Sequence, residues 1–233
     1  MRNSQLQFRI KEVVRSLNLV EELAKGSNVT NVLEDAAEFD MGMFKDKIDT
    51  EHTMLTGHSY GGATTLMTLA RDERYFKSIL MPLKLLCIWY QSFNGLLYNI
   101  KTAIHLDIFI LTCIFTLTLK FYRFKLGVVL DGWLFPMKDE KVSPKQPILF
   151  VNTESFMSRH NIEKMKQFLE KEESDPCQRK MIFIKGSVHQ NHIDAPLIFK
   201  DGIIKKIIGM QSNTDPMLVL DINNKLMLHF MLS

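Results

Sequence analysis

One pentapeptide constrains this chain more than any other feature: Gly57-His58-Ser59-Tyr60-Gly61, which fits the pattern Gly-x-Ser-x-Gly. It follows His52 to Thr56, which reads as a compact strand, and precedes Ala63 to Arg71, which reads as a helix. A strand that turns sharply into a helix holds its central residue in a strained conformation and lifts the Ser59 hydroxyl above the sheet. The two glycines avoid clashes that a Cβ would create in so tight a turn. Such a turn implies strands that alternate with helices.

That alternation recurs downstream. Leu126 to Leu130 (LGVVL), Ile148 to Asn152 (ILFVN) and Met181 to Lys185 (MIFIK) are short apolar runs that read as buried strands, with Ile162 to Lys171 as a helix between the last two. Upstream, Leu6, Ile10, Val13, Val14, Leu17, Val20 and Leu23 recur at helical spacing until Gly26, which predicts an amphipathic helix over 5–25. A further short helix is predicted over 39–50. The pattern predicts an α/β fold, a mostly parallel sheet with helices on both faces.

Composition agrees and excludes other classes. The 233 residues are 46% hydrophobic and 24% charged, enough apolar content for a single α/β domain with a core and too much for a disordered chain. Twenty-nine basic against 26 acidic side chains leave a net charge of +3, which gives no nucleic-acid footprint. Cys87, Cys113 and Cys177 have neither metal-ligand spacing nor an even count, so they read as free thiols. The first residues are charged and amphipathic and give no signal peptide. The triplet Asn28-Val29-Thr30 would accept a glycan only inside the secretory pathway.

Residues 78–125 interrupt the pattern, being far more apolar than their surroundings. Their longest clean run, Ile108 to Leu119, has 12 residues, short of the roughly 20 that a spanning helix needs. Joining 68–77 directly to 126–133 would restore the rhythm of helix and strand. The segment therefore reads as an insert, either retained non-coding sequence or a membrane-facing insertion.

A serine hydroxyl is a weak nucleophile at neutral pH and needs an imidazole base held by a carboxylate. On a sheet of this kind, both come from loops at the C-terminal ends of later strands, the acid before the histidine. Asp131 directly follows LGVVL, and His189 lies just past MIFIK. Glu154, after ILFVNT, competes for the role of acid, and His192 competes with His189. His58, beside the nucleophile, reads as a packing or hydrogen-bonding residue. The pair His189-x-x-His192 lacks a third ligand cluster, so no metal is expected.

Taken together, GHSYGGATT (57–65), LDGWLFP (130–136), ILFVNTESF (148–156) and KMIFIKGSVHQN (180–191) resemble the platelet-activating factor acetylhydrolases of the lipoprotein-associated and cytoplasmic type II group. FDMGMFKDKID at 39–49 and LDINNK at 220–225 extend the resemblance over 40–77 and 126–230. It implies an α/β-hydrolase that cleaves acetyl, short or oxidised sn-2 acyl chains from phospholipids without calcium or any cofactor. It implies Ser59 as nucleophile, Asp131 as acid and His189 as base, with the Tyr60 backbone N–H as an oxyanion donor. Ser59 comes early for this family, so the N-terminal strands and the second oxyanion donor are expected to be absent. Similar enzymes include secreted and cytoplasmic forms.

The partner implied is phospholipid at a membrane or lipoprotein surface. Ile203, Ile204, Ile207 and Ile208, beside Lys200, Lys205 and Lys206, form a stripe that would either rest in a lipid interface or pack on the sheet. Trp133 and Phe135 would line an acyl pocket or fill core. Two other functional readings stand beside the first: a broader carboxylesterase or lipase, and an inert remnant or lipid-binding protein that retains the triad residues.

Overall fold

The computed structural model describes residues 2–32, 39–71, 122–170, 179–199, 206 and 209–233. The chain divides into Met1–Asp72 with Arg123–Ser233, and Glu73–Tyr122. Of the second unit only Tyr122 is described, and the first contains everything below. Most of 78–125, all three cysteines, and Ile203, Ile204, Ile207 and Ile208 lie outside the described residues.

Among the described residues, four strands form one parallel sheet in the order β1 (Thr53–His58), β2 (Phe124–Leu130), β3 (Ile148–Thr153), β4 (Arg179–Ile184). The two inner strands are the most apolar in sequence, and almost every residue of β2 and β3 is buried. That is what a parallel sheet covered on both faces requires. β2 begins at Phe124, two residues before the run LGVVL, because Phe124 pairs with Thr53 and is buried against the core. The sequence signal fails there because Lys125 is exposed and breaks the apolar run.

Helices among the described residues include α1 (Arg2–Ala24), α2 (Tyr60–Arg71), α3 (Arg159–Leu169), the single turn α4 (Ala195–Ile198) and α5 (Pro216–Leu232). Gly26, just past α1, takes φ +73°, the left-handed conformation with which helices commonly stop. Ser158 caps α3, its hydroxyl accepting from the Asn161 N–H. The short helix predicted over 39–50 is only a 3-10 turn, Met41–Phe44, capped by Asp40.

Alternation along β2 and β3 splits the core in two. On one face Val129, Ile148 and Phe150 meet Leu6, Ile10 and Leu17 of α1, Ala63, Leu66 and Met67 of α2, and Met165 and Phe168 of α3. On the other, Leu126, Val128, Leu130, Leu149 and Val151 meet Val219 and Phe230 of α5. Each large apolar side chain so buried contributes about 1.5–3 kcal/mol. Helices thus cover both faces, as the pattern predicted, in an arrangement consistent with an α/β-hydrolase fold. No helix among the described residues is long and apolar enough to cross a membrane.

Candidate active site

In a parallel sheet all C-terminal strand ends open on one edge, where loops from different strands converge. Ser59 follows β1, Asp131 follows β2 and His189 lies five residues beyond β4. Two of the three carry positive φ, +57° at Ser59 and +44° at Asp131, a region non-glycine residues enter only when their surroundings hold them there. The holding bonds are visible. The Ser59 N–H donates to the Leu130 carbonyl at 3.0 Å, and the Ser59 carbonyl accepts from Gly62 at 3.0 Å and Trp133 at 2.8 Å. The segment 130–133 thereby clamps the elbow peptide from both sides.

Space requires glycine at positions 57 and 62 but not, as the pentapeptide pattern suggested, at 61, where an added Cβ would meet nothing within 4 Å. A Cβ on Gly57 would land against the Gly61 carbonyl and the Thr65 hydroxyl, and one on Gly62 would come within 2.7 Å of the Gly132 Cα. The first close approach closes the turn, and the second lets α2 pack on the acid loop.

Asp131 is fully buried, and its carboxylate is surrounded by donors. Oδ1 accepts from the Thr153 N–H at 2.6 Å, while Oδ2 accepts from the Thr153 hydroxyl and from His189 Nδ1 at 3.1 Å. Burial alone would raise the pKa of such a group. The hydrogen bonds from His189 and Thr153, with His192 nearby, outweigh it and hold the carboxyl well below the usual carboxylate range. Asp131 is therefore an anion at neutral pH, and His189 Nδ1 carries the proton that faces it. The His189 ring is also stacked on Phe156, with centroids 3.7 Å apart and planes 18° apart. Among the described residues no hydrogen bond joins the Ser59 hydroxyl to His189, a contact that often tightens only when substrate binds.

His58 packs against His189. Its Nε2–H donates to the His189 carbonyl at 3.1 Å, and the two rings lie 4.3 Å apart. Desolvation, with the neighbouring His189 and His192, pushes its pKa down to about 4, so His58 remains neutral. An unfolded histidine protonates near pH 6.5, before the folded one does. Stability linked to His58 is thus complete above pH 6.5 and declines as pH falls toward 4, by about 2 kcal/mol once partial exposure of the ring is allowed for. His58→Gln retains an N–H donor but does not titrate. Thermal unfolding followed at pH 7 and pH 5 is expected to show a smaller pH-induced loss in the variant than in the wild type, and equal losses would dismiss this account.

Glu154 sits elsewhere: its carboxylate accepts from the Gly186 N–H at 2.7 Å and braces the turn after β4. His192 is buried, with Nε2 3.6 Å from Asp131 Oδ2. Tyr60 opens α2, so its N–H lies at the N-terminal end of that helix, next to Ser59. Trp133 and Phe135 stack on one another at 6.3 Å beside Tyr60, and Phe135 is half exposed, so it does not fill core. Thr153 and Asn223 were not singled out by sequence. Thr153 is the last residue of an apolar strand, and only the fold reveals that its two donors meet Asp131. A cavity of about 490 Å³ between α1 and the elbow is lined by Leu55, Thr56, Gly61, Thr65 and Phe124, but by none of Ser59, Asp131 and His189. No group of three or more His, Cys, Asp or Glu side chains among the described residues is arranged to hold a metal ion.

The sequence profile of the family described as "Platelet-activating factor acetylhydrolase, isoform II" matches residues 1–98 and 108–233. The chain belongs to this family. Similar proteins include the platelet-activating factor acetylhydrolases of Bos taurus and Canis lupus familiaris, each 32% identical over 99% of this chain and 40% of theirs. That of Gallus gallus is 30% identical over 99% of this chain and 42% of its own. The chain thus spans about two fifths of the length of these relatives. Within the platelet-activating factor acetylhydrolase family, its match runs through both sides of the apolar segment and is interrupted only between 98 and 108.

Proposed function

We propose that this chain carries the serine-esterase centre of a platelet-activating factor acetylhydrolase, with Ser59 as nucleophile, His189 as base and Asp131 as the acid that orients it. The observation that carries the reading is the Asp131–His189 hydrogen bond at the sheet edge where the strained Ser59 turn also emerges. Family membership supports a phospholipid substrate, and in this reading the bond cleaved is a short or oxidised sn-2 acyl ester met at a lipid surface.

Ser59 Oγ attacks the sn-2 carbonyl while His189 Nε2 takes its proton. The imidazolium is stabilised by the Asp131 carboxylate, which stays ionised. Negative charge collects on the former carbonyl oxygen, where the Tyr60 N–H can donate; a donor so placed contributes about 3 kcal/mol to lowering the barrier. As the tetrahedral species collapses, His189 returns its proton to the departing lysophospholipid oxygen. Water, deprotonated by the same Nε2, then attacks the acyl-Ser59 ester and releases the short acid. Every proton passes through one nitrogen, and no metal or cofactor takes part.

The test is hydrolysis by the purified full chain, in the presence of a calcium chelator, of an sn-2 acetyl phospholipid, its long-chain counterpart and a simple aryl ester. The expected result is turnover of the acetyl phospholipid well above the long-chain one, undiminished by the chelator. Turnover of the aryl ester alone would replace the phospholipid reading by a broader carboxylesterase, and turnover of none would leave an inert member of the family.

A further inference from the structure

Asp131 has a second histidine at its side that the reaction above does not use. His192 ends the turn His189–His192, and its side chain is completely buried. Its Nδ1 lies 2.9 Å from Asn223 Nδ2 on α5. An amide nitrogen only donates, so Nδ1 must be the acceptor and the ring proton of neutral His192 sits on Nε2. That Nε2 is buried without a hydrogen-bond partner, and it lies 3.6 Å from Asp131 Oδ2, slightly beyond hydrogen-bond length. Leaving a buried N–H unmatched is costly, and a shift of a few tenths of an ångström would satisfy it on the carboxylate.

We propose that Asn223 and His192 form a second buried arm on Asp131, positioning residues that compete with His189 for the same carboxylate oxygen. This rests on the proposed role of Asp131 in orienting the base. Oδ2 already accepts from the Thr153 hydroxyl and from His189 Nδ1, so a third donor draws charge from the bond to His189. The arm ties the catalytic carboxylate to α5, a helix on the opposite face of the sheet from α2 and α3. The groups facing this cluster are His58 at the end of β1, with its ring 5.7 Å from His192, Asp131 after β2, and the non-titrating Asn223 from α5. Asp194, at the start of α4, and Asp221, on α5, are exposed.

Removing the competitor should strengthen the bond that remains. In full-length His192→Phe, the low-field proton resonance of His189 Nδ1–H is expected to move further downfield than in the wild type. The acid limb of fluorophosphonate labelling at Ser59 is expected to move up by about half a pH unit. His192→Gln, which can return an N–H toward Asp131, should restore both readouts toward wild type, and Asn223→Leu should shift both in the direction of His192→Phe. A role in packing alone predicts lost stability without these shifts. A folded His192→Phe whose resonance and acid limb coincide with wild type overturns the arm, as does a His192→Gln that behaves like Phe. If His192→Phe does not fold, the contrast between His192→Gln and Asn223→Leu decides. The resonance requires no chemistry at Ser59, so an unlabelled wild type would reject the esterase reading and still leave the arm tested.

Discussion

Ser59→Ala is expected to abolish fluorophosphonate labelling and to lower kcat/KM for any ester this chain hydrolyses by about 10⁵ to 10⁶. The magnitude follows from what is removed. With no hydroxyl at the crest of the β1–α2 turn, no acyl-enzyme forms, and the remaining rate comes from water attacking a substrate held by the donors around it. Folding should be little affected, because alanine bears the same Cβ at φ +57° and the backbone bonds to Leu130, Gly62 and Trp133 do not involve the side chain. The unfolding midpoint is expected to stay within roughly 2 °C of wild type, a shift far below that of a lost core contact. Mass spectrometry of the labelled peptide makes the assignment directly. Label that persists in the variant, or maps to another serine, would remove Ser59 from the role.

How much of this could be read beforehand depended on how local each signal was. The Ser59 turn was legible because its pattern lies within five consecutive residues, although of the two flanking glycines only Gly57 is demanded by space; a Cβ on Gly61 would meet nothing within 4 Å. β2 and β3 were legible because strands buried on both faces must be apolar throughout, and LGVVL and ILFVN are. The start of β2 was not, since the exposed Lys125 hides the pairing of Phe124 with Thr53. The choice between Asp131 and Glu154 could not be made from spacing, because both follow strands that end on the same edge. In the fold Asp131 turns inward to Thr153 and His189, while Glu154 accepts the Gly186 N–H. Thr153, Asn223 and the burial of His192 are invisible in a linear reading. Each acts through a partner at least 20 residues away in the chain, with separations of 22 to Asp131 for Thr153 and 31 between Asn223 and His192.

Asp131→Asn should be the second most damaging change, reducing kcat by about 10⁴ with KM nearly unchanged. The reason is hydrogen-bond arithmetic. Three donors converge on the carboxylate: the Thr153 N–H, the Thr153 hydroxyl and His189 Nδ1–H. Asparagine offers one acceptor oxygen and one NH₂ group, which can only donate. Satisfying the buried Thr153 N–H with the oxygen turns the NH₂ toward His189, whose Nδ1 must then accept, and the ring proton moves to Nε2. A base that already carries its proton cannot take one from Ser59. The same substitution removes a titrating group. Wild-type Asp131 has its folded pKa depressed, so the stability it confers is complete above about pH 4 and is lost as pH falls further. The variant should therefore start less stable at neutral pH and lose less on acidification, a convergence that urea unfolding at pH 7 and pH 3 would resolve. Glu154→Gln is the matched control, expected to change kcat by less than about threefold because its carboxylate serves a turn rather than the base. A reversal of these two effects, with Glu154→Gln inactive and Asp131→Asn active, would transfer the role of acid to Glu154.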